Sequence, residues 1–254
     1  MKLLVVGAGE MGRWVGRSVD AEVAFADADP AVARAAASDA DARTVSLSTD
    51  ERFDAVCIAV PISAAESAIA DHAPKAESAI LDVTGAMAGP VAAMAERAPD
   101  RERVSLHPLF AAANSPGNIA VVSDAPGPTT DRILDDLREQ GNDLVETTPE
   151  EHDAAMETVQ SGAHAAILAF ALAADEIPDG LTTPVFEDLR ELVEQVTGNT
   201  PGVYAEIRET FDGAEAVADA ATRLAESDPE AFEDLYREAG EAFSEANVNP
   251  EDDA

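Results

Sequence analysis

The chain has 254 residues, enough for one large domain or two ordinary ones, and its 46% hydrophobic content can build a real core. A net charge of −35, from 51 acidic and 16 basic residues, excludes nucleic-acid binding through a basic footprint. No run approaches the roughly 18 apolar residues that span a membrane, and the apolar N-terminus is too short for a signal peptide, so a cytoplasmic protein is expected.

Leu3 to Val6 is an unbroken apolar run, which predicts a short strand buried on both faces. It leads into Gly7-Ala8-Gly9-Glu10-Met11-Gly12, a G-x-G-x-x-G turn, and Arg13-Trp14-Val15 opens a helix. Gly7 allows the tight turn, Gly9 lets a pyrophosphate approach the backbone, and Gly12 lets helix and strand pack closely. The helix N-terminus offers N–H groups and partial positive charge to phosphates. Val23 to Ala26 predicts a second strand ending at Asp27, where an acid would hold the ribose hydroxyls of NAD and repel the 2′-phosphate of NADP. Neighbouring loop residues can reverse that preference, so NADP stays open.

Asp29-Pro30 reads as the cap and first residue of a helix to about Ser38, and Thr44 to Ser46 as a short strand. Phe53 to Val60 is a buried strand stopped by Pro61, with the single cysteine, Cys57, as a buried structural thiol in a reducing compartment. Ser63 to about His72 is helical, with His72 expected exposed at the helix end, and Ala79 to Val83 is another strand. This alternation specifies an α/β fold, a doubly wound parallel sheet of Rossmann type. Ligands bind outside the carboxyl ends of such strands, which places Val60-Pro61 on the nicotinamide-ribose side. His107 follows the strand Val104 to Leu106, and Pro108 biases it towards extended backbone, so its imidazole can project into the cleft or merely cap a turn.

Two short strands, Ile119 to Val122 and Leu144-Val145, flank a helix from Thr130 to about Gln140. Thr148-Pro149-Glu150-Glu151 is a strong helix start, and beyond it the chain reads as almost wholly helical. The boundary is therefore expected at Thr147/Thr148, with a dinucleotide-binding domain at 1–147 and a helical domain at 148–254. Asn249 to Ala254 read as a disordered acidic tail. In a helix from Pro149 to about Asp175, Met156, Gln160, Ala163, His164, Ile167 and Ala171 would share a face, leaving Gln160 and His164 as buried polar groups that need partners. The acids are spread along the chain, and only Lys2 and Lys75 are lysine, the pattern of a solvated halophilic surface.

Taken in order, the glycine turn, Asp82-Val83-Thr84-Gly85, His107-Pro108-Leu109-Phe110, Gln160-Ser161-Gly162-Ala163-His164, Phe186-Glu187-Asp188-Leu189-Arg190 and Thr197 to Ile207 resemble the prephenate and arogenate dehydrogenases. The resemblance covers most of residues 1–210. It implies oxidative decarboxylation of prephenate to 4-hydroxyphenylpyruvate for tyrosine synthesis. Hydride passes to NAD, the ring carboxylate departs as CO2 and the ring aromatises. It further implies that His107 accepts a hydrogen bond from the substrate hydroxyl, that Arg190 clamps a carboxylate, and that His164 orients the substrate beside Gln160. A homodimer through the C-terminal helical domain, with the active site between domains, is part of the same implication. Where relatives carry a serine and then a basic residue, this chain has Gly85, Ala86 and Met87, and Thr84 is the candidate replacement hydroxyl. Ala111 stands where glycine is usual. Three rivals remain: an arogenate dehydrogenase, a related imine or hydroxyacid reductase, and a non-catalytic dinucleotide-binding protein. The hydroxyacid reductases rely on a lysine in the helical domain, and no lysine follows Lys75.

Overall fold

The computed structural model describes residues 1–178 and 180–246, so the expected tail at Asn249 to Ala254 lies outside the described residues. The chain forms two compact units. The first comprises Met1–Met156 and Thr200–Phe211; the second comprises Glu157–Asn199 and the chain from Asp212 on.

The first unit runs β1 (Lys2–Val6), α1 (Glu10–Ser18), β2 (Glu22–Ala26), α2 (Pro30–Asp39), β3 (Arg43–Thr44), β4 (Phe53–Ile58), α3 (Ala65–His72), β5 (Ala76–Asp82), α4 (Ala88–Arg97) and β6 (Glu102–Pro108). It continues with β7 (Asn118–Ala125), α5 (Pro128–Glu139), β8 (Asp143–Glu146) and α6 (Pro149–Met156). Among the described residues eight strands form one sheet in the order β3-β2-β1-β4-β5-β6-β7-β8. Period-two alternation sorts the side chains to its two faces. Leu3, Val5, Ala55, Cys57, Ala79 and Leu81 pack with Trp14 and Val15 of α1, Ala33 and Ala36 of α2, and Ile133 and Leu137 of α5. Leu4, Val6, Val56, Ile58 and Ile80 pack on the opposite face with Ile69 of α3 and Met94 of α4. The parts of these strands covered on both sides, 3–6, 55–58 and 79–81, are accordingly apolar.

The expected all-parallel sheet needs one correction. β7 runs antiparallel to β6, with His107 opposite Ala120 and Pro108 opposite Ile119, although β8 is again parallel to β7. The connection at 109–117 is too short for a crossover helix, and only an antiparallel return can be closed by so short a loop. α4 lacked an expectation altogether. His72 is also corrected: it is buried, and its Nδ1 accepts from Lys75 Nζ at 2.8 Å. Burial, and then the Lys75 charge, lower its pKa.

The second unit contains α7 (Ala163–Ala173), α8 (Pro184–Thr197), and, beyond α9 (Pro201–Thr210) of the first unit, α10 (Gly213–Glu226) and α11 (Pro229–Ala246). Ahead of α7, Glu157–Gly162 winds as a π-helix. A π-helix bonds i to i+5, so the expected α-helical face through Met156, Gln160 and His164 does not form. The first unit thus reaches past position 147 to Met156 and takes back α9.

Candidate functional site

The glycine turn follows β1 directly. Gly7 has φ +95, and a Cβ there would collide with the carbonyl of Ala59 and lie 3.1 Å from Cγ1 of Val60. This position therefore requires glycine on two grounds. The same contact brings the turn against the end of β4, where Val60 and Pro61 stand. Gly12 lies against the Gly7 carbonyl with no room for a side chain. At Gly9, by contrast, a Cβ would meet nothing within 4 Å, which leaves its backbone open to a ligand. α1 begins at Glu10 with no side-chain cap on its first turn, and Met11 follows in that turn. Asp27, just past β2, accepts from Ala8 N at 2.8 Å through one oxygen and from Asp29 N at 2.8 Å through the other. The acid and the glycine turn are thus physically joined. An open backbone, an uncapped helix start and an adjoining acid fit the pyrophosphate and ribose of a dinucleotide.

β1, β4, β5 and β6 are parallel, so their carboxyl ends share one edge of the sheet. His107 lies on that edge, three strands from the turn, or roughly 14 Å at the usual strand spacing. Val104 and Leu106 point to the α1 face, which turns Ser105 and His107 to the α4 face. There the His107 Nδ1 lies 2.8 Å from Nε2 of His152 on α6. The His152 Nδ1 lies 2.8 Å from Oδ1 of Asp153. Asp153 accepts in turn from the backbone N–H groups of Met87 and Ala88, each at 3.0 Å, at the start of α4. Burial drives the His107 pKa down to about 3, helped by the neighbouring His152, so this imidazole is neutral at working pH. Burial alone would raise the pKa of Asp153, but its bonds from His152, Met87 and Ala88 outweigh that and hold it below the carboxylate range.

Asp82, fully buried at the end of β5, completes this polar cluster. Burial pushes its pKa up to about 6, against the hydroxyls of Thr84 and Ser105 and the charge of His152, which favour the ionised form. Thr84 is buried too, and its hydroxyl faces Asp82 Oδ1 at 2.7 Å and the Ala86 carbonyl at 2.9 Å. It therefore braces the loop at the end of β5. A Cβ on Gly85 would sit 3.8 Å from Nε2 of His107 and 3.1 Å from Cδ1 of Ile62. Glu206 of α9 accepts from Ile62 N at 3.1 Å and Ser63 Oγ at 2.6 Å, pinning the loop after β4. Past His107, Phe110 meets Trp14 of α1 edge-on, with centroids 5.5 Å apart, and Trp14 Nε1 donates to Ser115 Oγ.

In the second unit Gln160 lies in the π-helical stretch and His164 in the first turn of α7. Both are partly buried, and burial lowers the His164 pKa. Arg190 is exposed on α8, where it forms ion pairs with Glu187 at 2.7 Å and Glu194 at 3.7 Å. The first unit therefore assembles the glycine turn, Asp27, Val60 and His107 along one sheet edge, whereas Gln160, His164 and Arg190 belong to the other unit. Sequence reasoning passed over His152, Asp153 and Glu206. For the first two a signal existed, since the chain has only four histidines and this one precedes an acid directly after a helix cap.

A mostly parallel sheet with this turn, this acid and a neutral imidazole on the same edge defines a dinucleotide-binding α/β domain. Residues 12–123 match the family model described as "Prephenate dehydrogenase, nucleotide-binding domain". That stretch lies within the first unit and runs from the glycine turn to the end region of β7. The chain is 29% identical over 161 residues to the 4-amino-4-deoxyprephenate dehydrogenase of Streptomyces pristinaespiralis, covering 56% of this chain and 54% of that protein. It is 24% identical over 173 residues to a "Probable arogenate/prephenate dehydrogenase" of Methanocaldococcus jannaschii, covering 62% and 39%. The matches thus span about half the length or less of these curated relatives. In fold the chain is similar to the crystal structure of prephenate dehydrogenase from A. aeolicus in complex with hydroxyphenyl propionate and NAD+, with a TM-score of 0.72 at 15% identity, over 98% of each chain.

Proposed function

We propose that this chain is an NAD-dependent prephenate dehydrogenase that makes 4-hydroxyphenylpyruvate for tyrosine synthesis in a reducing cytoplasm. The observation that carries this reading is the neutral, buried imidazole of His107 on the same sheet edge as the glycine turn. When bound, the dinucleotide supplies the hydride acceptor. The turn from Gly7 to Gly12 and the start of α1 hold its pyrophosphate. Asp27 binds the ribose hydroxyls and disfavours the extra phosphate of NADP, and Val60 and Pro61 line the nicotinamide side. His107 accepts the hydrogen bond of the substrate hydroxyl, which gains acidity as hydride leaves its carbon. Arg190 exchanges its glutamate partners for a substrate carboxylate, and His164 with Gln160 orients the substrate. Thr84 is left out of this set because its hydroxyl is already engaged.

The helical residues supply dimer contacts in the same reading. α7 is almost wholly apolar, yet none of its residues is buried, and Leu172 is 89% exposed. A helix of that composition needs a cover, and a second copy of the chain provides one. The test of function is product identification. Incubation with NAD and prephenate should yield 4-hydroxyphenylpyruvate, whereas a preference for arogenate would yield tyrosine. If neither appears, a non-catalytic dinucleotide binder replaces this reading.

A further inference from the structure

His107, His152 and Asp153 form a chain of hydrogen bonds whose direction is set at one end. The Asp153 carboxylate is anchored by two backbone N–H groups at the start of α4 and can only accept. Its bond to His152 at 2.8 Å therefore places a proton on His152 Nδ1. A singly protonated His152 then carries its lone pair on Nε2, which at 2.8 Å accepts from His107 Nδ1. His107 is thereby fixed as the tautomer whose proton is on Nδ1 and whose lone pair is on Nε2. The Nε2 atom is also the one that faces the Gly85 position at the strand edge.

We propose that His152 and Asp153 are positioning residues for His107: together they hold its imidazole in the tautomer that presents an Nε2 lone pair to the substrate hydroxyl. This rests on the reading of His107 as the hydroxyl's acceptor. As the hydroxyl proton moves onto Nε2, the O–H bond weakens, an N–H bond forms, and positive charge develops on His107. The Nδ1–H then points through His152 to the Asp153 carboxylate, which stabilises that charge. The groups facing the pair are Asp82 of β5 and Asp153 of α6, both carboxyls. A proton added to His152 at Nε2 would reverse the chain and put a hydrogen on the wrong nitrogen of His107.

The experiment combines nitrogen-15 NMR of histidine-labelled full-length protein, without dinucleotide, with kinetics of His152→Phe and His152→Gln. The four histidines of the chain make the spectrum assignable. Wild type should show His107 protonated on Nδ1. His152→Phe, which offers no acceptor, should lose on the order of 10²-fold or more in kcat with substrate KM little changed. His152→Gln, whose amide oxygen can still accept from Nδ1–H, should recover to within about ten-fold of wild type. A wild-type spectrum with His107 protonated on Nε2 overturns the proposal, as does a His152→Phe enzyme that keeps its kcat and changes only KM or melting temperature. Absence of turnover in wild type on both prephenate and arogenate defeats the functional reading instead, and the spectrum alone then decides the tautomer.

Discussion

His107 stays neutral where most histidines begin to charge, and that has a consequence for stability. Unfolded, the imidazole takes up a proton near its ordinary 6.5; folded, burial and His152 delay this to about 3. The unfolded state therefore binds more protons throughout that window, and stability falls as pH drops from about 6.5 towards 3. Asp82 works in the opposite sense. Its raised pKa stabilises the fold below the ordinary carboxylate range and withdraws that contribution as pH rises through about 6. Urea unfolding of His107→Asn across this range should show a shallower loss of stability at low pH than wild type; parallel curves would mean that the folded imidazole titrates normally. The place of His107 at the end of its strand was legible in the sequence from the strand-like run 104–106 and from Pro108. Its partner was not, because His152 lies 45 positions away and only the packing of α6 on the sheet brings them together.

At the scale of elements, the strand-helix alternation was readable because the central strands carry apolar runs at 3–6, 55–60 and 79–81. The π-helical turn at Glu157–Gly162 was not, since apolar spacing carries no mark of a switch from i+4 to i+5 bonding. The same stretch is closely packed within the second unit. Gly213 lies directly against the Glu157 carbonyl, and a Cβ on Gly213 would sit 2.7 Å from Gly162 N. Two glycines thus let α10 touch the backbone of the stretch that carries Gln160. Gly213→Ala should cost about 1–3 kcal/mol in thermal or denaturant unfolding, since the clash is with backbone that cannot rotate away. An unchanged midpoint would show that the close approach is not required. α9 escaped assignment to the first unit for a similar reason: its anchors, Glu206 to Ile62 and Ser63, bridge more than 140 positions.

The whole molecule is dominated by its charge of −35. In molar salt the Debye length is about 3 Å, so the repulsion between dispersed carboxylates is largely screened. The melting temperature should therefore rise clearly from millimolar to molar KCl, and an equal value in both would contradict a salt-adapted surface. Leu172→Glu on α7 should convert a dimer to a monomer by light scattering with little change in helix content; a wild-type monomer would leave the exposed apolar helix without the proposed cover. The measurement that bears most directly on the account is the initial rate of NADH formation from NAD and prephenate in molar KCl, for wild type beside His107→Asn. Wild type should turn over, and the variant should be at least ~10²-fold slower, the usual cost of a lost acid–base group. Equal rates in the two proteins would contradict the role given to His107, and no NADH from wild type with prephenate would contradict the activity itself.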